Sequence, residues 1–180
     1  DYLHPNLQFH FFPSLVMNHG LKNPTFDAFQ FHACPNRPKS RGYIKINSND
    51  INISPKIQFN YLQNEEDLVE MRESVKIAKN IFSQKSLSDY VDYELRPGVH
   101  VKSNDELDEI IRNTSESAYH PSCSNKMGFD KNSVVDQKTR VHGIDNLRII
   151  DASIMPDIVS ANLNASVIMM AERAYDFLQD

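Results

Sequence analysis

The chain has few glycines, two cysteines and no long apolar run, and each scarcity closes off a class of function. With 5 glycines in 180 residues, it contains no G-x-G-x-x-G and no G-x-x-x-x-G-K-[ST], so nothing in this stretch cradles a dinucleotide or a triphosphate by itself. Cys34 and Cys123 stand far apart without framework spacing, which suits a reducing compartment and gives no reason to expect a disulfide. No run of about 18 apolar residues is present, which argues against a membrane-spanning helix. Lys and Arg are scattered, the net charge is −5, and no basic stripe with interleaved aromatics follows a nucleic-acid backbone. Nucleic acid is not an expected partner.

What remains is an ordinary globular composition, 40% hydrophobic and 24% charged. That is enough chain for one domain with a real core, with or without an appendage. The opening DYLHPNLQFHFFP has neither an initiator methionine nor the charged-then-apolar layout of a signal peptide. The expectation is a piece cut from a longer chain, cytoplasmic or peripherally membrane-associated, with no targeting signal of its own. Any nucleotide cofactor would be held largely by sequence outside this piece.

Periodicity predicts an α+β fold: an antiparallel or mixed sheet flanked by helices, with a C-terminal strand-helix segment. LQFHFF at 7–12 and FDAFQFHAC at 26–34 read as strands. SRGYIKINS puts Tyr43, Lys45 and Asn47 on one face and Ile44 and Ile46 on the other, a half-buried antiparallel strand that PKIQFNYL at 55–62 can pair with. A helix is predicted to start at Asn64, a good N-cap followed by Glu65, Glu66 and Asp67, with Leu68, Met71, Val75, Ala78 and Phe82 as its apolar stripe. Ser103 and Glu106 form a capping box for a second helix that buries Leu107, Ile110 and Ile111. SLSDYVDYELRPG between them is a loop ending in a Pro-Gly turn. In the last third, NLRIIDAS reads as a short strand, and a final helix beginning near Ala165 carries Val167, Met170, Ala174 and Phe177.

The stretch SESAYHPSCSNKMG, 115 to 128, raises the chemical question. His120 and Cys123 are spaced so that both could turn toward one ion, but no second close pair of ligands follows, and His4, His10, His19, His32, His100 and His142 are scattered, so no metal is expected. A lone histidine beside a proline is ordinarily a hydrogen-bonded or exposed side chain. From this segment alone the structural and the chemical reading of His120 both stay open.

Its downstream company changes the odds. AYHPSCSNKMG, then RVHGIDNLRIIDASIMP, then NLNA before a helix, resemble the C-terminal end of the glucose-methanol-choline (GMC) flavoprotein oxidoreductases, most closely the choline-oxidising branch. The likeness extends upstream through SRGYIKINS, PKIQFNYLQNEEDL and ELRPG, nearly the whole chain. It implies a substrate-binding domain over 1–129 and, over 130–180, a segment that contributes to an FAD-binding domain whose main body lies elsewhere in the same chain.

The resemblance also implies a reaction: oxidation of a primary alcohol, choline to betaine aldehyde foremost, by hydride transfer to the flavin of FAD, with His120 of the HP motif accepting the hydroxyl proton. An imidazole, whose ordinary pKa is about 6.5, suits that task. The family's second catalytic position falls on Asn164, whose amide would donate to the substrate oxygen as it becomes alkoxide-like; the alternative is that Asn164 caps the last helix. Cofactor contacts fall on Asp151, Ala152, Asn162, Asn164 and Ala165, with a polar strand end as the alternative for Asp151. Tyr119 and His10 match substrate-pocket positions, Tyr119 as a cation-π wall for a quaternary ammonium, although core packing would account for either. Where relatives often carry Gly-Thr after the HP motif this chain has Cys123 and Ser124, and Ser166 stands where Pro or Thr is common; these departures leave the base intact but loosen the choice of alcohol.

Another aliphatic or aromatic alcohol, a non-catalytic binding module and a structural assembly domain remain as rival readings. The electron acceptor is left open. The piece alone is expected neither to hold FAD tightly nor to turn over, and a dimer of pieces through surface that the rest of the chain would cover is an expected artefact.

Overall fold

Asn64 sets the start of the longest helix by accepting a hydrogen bond from Glu66 N–H at 2.9 Å, as the sequence predicts. A computed structural model describes residues 3–17, 20–22 and 24–179; His19 lies outside them. These residues fall into two compact units, one comprising the chain up to 40 together with 61–116, the other 41–60 together with 117–180.

In the first unit, β1 (Leu7–Phe12) pairs antiparallel with β2 (Gln30–Pro35), Leu7 opposite Pro35 and Phe12 opposite Gln30. Helix α1 (Glu65–Phe82) packs on β2 and on α3 (Asn104–Thr114); the short α2 (Lys85–Ser88) follows α1. The apolar stripe of α1 serves two neighbours. Leu68, Met71 and Val75 join Leu107 and Ile111 of α3 in one core, whereas Phe82, a turn or two further, stacks on Phe31 of β2 with ring centroids 4.4 Å apart. Asp67 is buried because its carboxylate accepts from the backbone N–H groups of Lys39 at 2.6 Å and Ser40 at 2.7 Å. Charge burial is thereby matched by hydrogen bonds. The predicted capping box is present: Glu106 N–H donates to Ser103 Oγ at 3.2 Å, and Ser103 N–H to Glu106 Oε2 at 3.0 Å. The backbone N–H groups of Ser103 and Lys102, both donating to Oε2, hold the Glu106 carboxyl below its ordinary range.

In the second unit, β3 (Tyr43–Lys45) and β4 (Lys56–Gln58) form an antiparallel ribbon with Ile44 opposite Ile57. The sequence predicts one flanked sheet; the described residues form two separate two-stranded sheets. Ile44 is 54% exposed, so the half-buried face expected for β3 is uncovered here. The expected strand at 146–153 is reduced to a single bridge, Arg148 with Arg140, followed by a 3-10 turn over Ala152–Ile154. The two antiparallel bonds of that bridge, Ile149 N–H to Thr139 O at 3.1 Å and Val141 N–H to Leu147 O at 2.9 Å, are not extended into a ladder, and a turn at 136–140 precedes them. Asp136 organises that turn, accepting from Lys138 N–H and Arg140 N–H at 2.8 and 2.9 Å. Val135, Ile154, Met155, Leu163 and Ala174 are buried, the last from α4 (Asn164–Gln179). No helix among the described residues is long and apolar enough to cross a membrane.

Candidate active site

After α3 the chain bends sharply, Tyr119 N–H donating to Ser117 Oγ at 2.9 Å. Tyr119 then takes a φ of 62° and Cys123 a φ of 68°, left-handed conformations that cost bulky side chains free energy and concentrate at functional positions. His120 sits between them, ahead of Pro121, which disfavours a helical conformation at His120. The segment is tied down on its far side. Cys123, Asn125 and Met127 donate their N–H groups to the carbonyls of Ala152, Ser153 and Ile154 at 3.2, 2.9 and 2.8 Å, and Asn125 Nδ2 adds a bond to Ser153 Oγ at 3.0 Å. The HP segment and the Asp151–Ile154 segment thus form one clamped pair.

Asp151 uses Oδ1 to accept Ser153 N–H at 2.7 Å, capping the 3-10 turn. The loop that follows leads through buried Leu163 into α4, which begins at Asn164. Leu163 holds the cap position, its carbonyl accepting Val167 N–H at 2.9 Å; Asn164 is the first helical residue. By helix geometry the N–H groups of Asn164, Ala165 and Ser166 lack an intrahelical acceptor, and Asn164 and Ala165 are exposed. They present the positive end of a 16-residue helix.

His120 and this loop meet. Asn162 Nδ2 lies 3.3 Å from His120 Nε2, across 42 residues of sequence. His120 is half-buried and Asn162 exposed. Tyr119 is 71% exposed. Cys123 Sγ lies against Ser122 Oγ at 3.2 Å. His10 lies on β1 of the other unit, opposite His32. The contact between Asn162 and His120 has no signature in spacing, since it joins two loops rather than two turns of one helix. Nor did the sequence show the Asn125–Ser153 clamp.

An arrangement of imidazole, neutral amides and a helix N-terminus is suited to moving a proton beside a group that gains negative charge. The GMC oxidoreductase family model matches residues 38–171, and the chain belongs to that family. It is 47% identical over 178 residues to human mitochondrial choline dehydrogenase, covering 98% of this chain and 30% of that protein. It is 48% identical over 172 residues to the oxygen-dependent choline dehydrogenase of Pseudomonas aeruginosa (strain UCBPP-PA14), covering 96% of this chain and 31% of that protein. Among solved structures it resembles pyridoxine 4-oxidase from Mesorbium loti, with a TM-score of 0.87 and 27% identity over 94% of this chain and 33% of that one. Formate oxidase from Aspergillus oryzae gives a TM-score of 0.88 and 26% identity over 98% of this chain and 32% of that one. The chain spans about a third of the length of the curated relatives it matches.

Proposed function

We propose that this chain is the C-terminal part of an FAD-dependent dehydrogenase that oxidises a primary alcohol, choline to betaine aldehyde, with His120 as the proton acceptor. The observation that carries the reading is the meeting of His120 with Asn162, in the loop that leads into α4, at 3.3 Å. The preference for choline rests on the near-full-length likeness to enzymes named for that substrate.

In this reading residues 1–129 bind substrate and 130–180 join the flavin-binding domain, with Asp151, Ala152, Asn162, Asn164 and Ala165 toward the cofactor. The exposed N–H groups and positive end of α4 fit a ring that becomes electron-rich on reduction. FAD, when bound, supplies the hydride acceptor. The chain's own residues do the rest. His120 takes the proton as the alcohol O–H bond breaks, while the carbinol C–H pair leaves as hydride and the C=O bond forms. Asn164 donates to the oxygen while it carries negative charge. Tyr119 offers a ring face to a trimethylammonium group, and His10 is carried as a substrate-binding residue by the family resemblance alone. The electron acceptor is a separate partner that reoxidises the flavin.

The test is anaerobic flavin reduction in the complete, FAD-loaded protein, mixed with choline or with a neutral primary alcohol, for wild type and His120→Ala. Bleaching by choline that slows about 100-fold or more in the variant is expected, the scale of a lost general base. Bleaching by neutral alcohols alone would keep the class and remove choline. Unchanged bleaching in the variant would remove His120, and no bleaching by any alcohol would favour a non-catalytic module.

A further inference from the structure

We propose that His32 is a specificity-determining residue: with Phe12 and Gln30 it forms a wall that selects the trimethylammonium end of choline over an uncharged group of the same shape. The proposal rests on the reading in which choline is the substrate and His10 meets it.

Register decides which side chains share that wall. Directly opposed residues of an antiparallel pair point to one face, and alternate residues along a strand return to it. His10 is opposite His32, Gln8 opposite Cys34 and Phe12 opposite Gln30, so these side chains lie on one face. The other face carries Phe9, Phe11 and Phe31, whose rings meet one another, and Phe31 stacks on Phe82 of α1. Helix packing thus uses the phenylalanine face and does not need the histidine face.

The histidine face holds no ammonium, guanidinium or carboxylate, in a chain with 19 Lys and Arg and 24 Asp and Glu. Its contacts belong to an uncharged surface. An amide nitrogen donates and does not accept, so Gln30 Nε2 at 2.6 Å from His32 Nε2 makes that ring nitrogen the acceptor. An imidazolium, with N–H on both nitrogens, could not accept this bond. Burial pushes the Cys34 thiol up, away from the thiolate. His10, His32 and Cys34 are ligand types, yet no three such groups among the described residues come together to hold a metal ion.

His32 lies against Phe12 with ring centroids 4.6 Å apart and planes at 41°, and its side chain is exposed. A quaternary ammonium has no N–H to donate, so hydrogen-bond acceptors do not select it. Aromatic faces attract it and a fixed positive charge repels it. Two rings on an uncharged surface supply the attraction and avoid the repulsion.

The experiment uses the complete, FAD-loaded protein and measures kcat/KM for choline and for its neutral analogue, in which a tert-butyl group replaces trimethylammonium, in wild type, His10→Ala, His32→Ala, His32→Phe and His32→Lys. The readout is the ratio of the two values, because damage to the fold, to FAD binding or to the base lowers both alike. His32→Ala is expected to lower the preference for choline about 3- to 30-fold, the range of one cation-π contact. His32→Lys should lower it at least as far, and His32→Phe, which keeps a ring and cannot become charged, should retain most of it. If His32→Ala does not fold, the contrast between His32→Lys and His32→Phe carries the same comparison. An unchanged ratio in His32→Ala and His32→Lys would overturn the proposal, as would equal losses in His32→Ala and His32→Phe. A wild type that does not prefer choline would sink the reading beneath it, whereas a preference lost in His10→Ala and kept in every His32 variant sinks the role of His32 alone.

Discussion

Arg72 of α1 and Asp108 of α3 meet in a two-point ion pair, Nε 2.7 Å from Oδ1 and Nη2 2.6 Å from Oδ2. Their side chains are 14% and 17% exposed. The guanidinium hydrogen bonds hold the Asp108 carboxyl below the usual carboxylate range, against the opposing cost of desolvation. Two parallel bonds constrain orientation as well as distance, so the pair registers the two helices whose Leu68, Leu107 and Ile111 form the core of that unit.

The pair's contribution depends on pH in a definite sense. Because the folded-state pKa of Asp108 is depressed, its stabilisation is fully present above the unfolded value, about 3.9, and is lost as pH falls through the lower folded-state value. Urea unfolding of the complete protein should show Asp108→Asn less stable by about 1–3 kcal/mol at pH 7. The gap should narrow below about pH 4. A gap of constant size down to the acid limit would mean that shape, not charge, accounts for the loss.

Gly42 and Gly143 should respond oppositely to the same replacement. A Cβ on Gly42 would run into the carbonyl oxygen of Gln58 and lie 2.8 Å from Phe59 Cα, both backbone of the partner strand or its end. Gly143 has open space around it but a φ of +76°, which Asn adopts far more readily than most residues. Gly143→Asn should therefore be mild and Gly42→Asn disruptive. Hydrogen exchange at the paired amides of 43–45 and 56–58 should accelerate in Gly42→Asn alone; equal acceleration in both variants would contradict the steric account.

Helix starts were legible because capping is local: Asn64 and the Ser103–Glu106 box each act within three residues. Strand extents were less so. The stretches 26–34 and 55–62 read as strands, yet pairing covers only Gln30–Pro35 and Lys56–Gln58, since a ladder ends where its partner does. Alternation placed Ile44 opposite Tyr43 and Lys45 in facing, but cannot say what covers a face, and Ile44 is exposed. His120 and the NLNA loop were readable through family resemblance. Their meeting through Asn162 was not, because a contact across 42 residues between two loops has no period to find.

Asn164 offers a prediction in which rate and stability separate. It is the first residue of α4, while Leu163 occupies the cap position, so Asn164→Ala removes no cap and introduces a good helix former. If the amide donates to the developing alkoxide, the limiting rate of flavin reduction should fall about 100- to 1,000-fold, with the melting temperature nearly unchanged. Asn164→Asp sharpens the contrast. A carboxylate at the first turn interacts favourably with the positive end of the helix, so the protein should be as stable or slightly more so. That same carboxylate cannot donate and repels an alkoxide, so the rate should fall at least as far as in Asn164→Ala. A residue needed only for structure would move both quantities together, and parallel losses of rate and melting temperature in these two variants would assign Asn164 to the fold instead of the reaction.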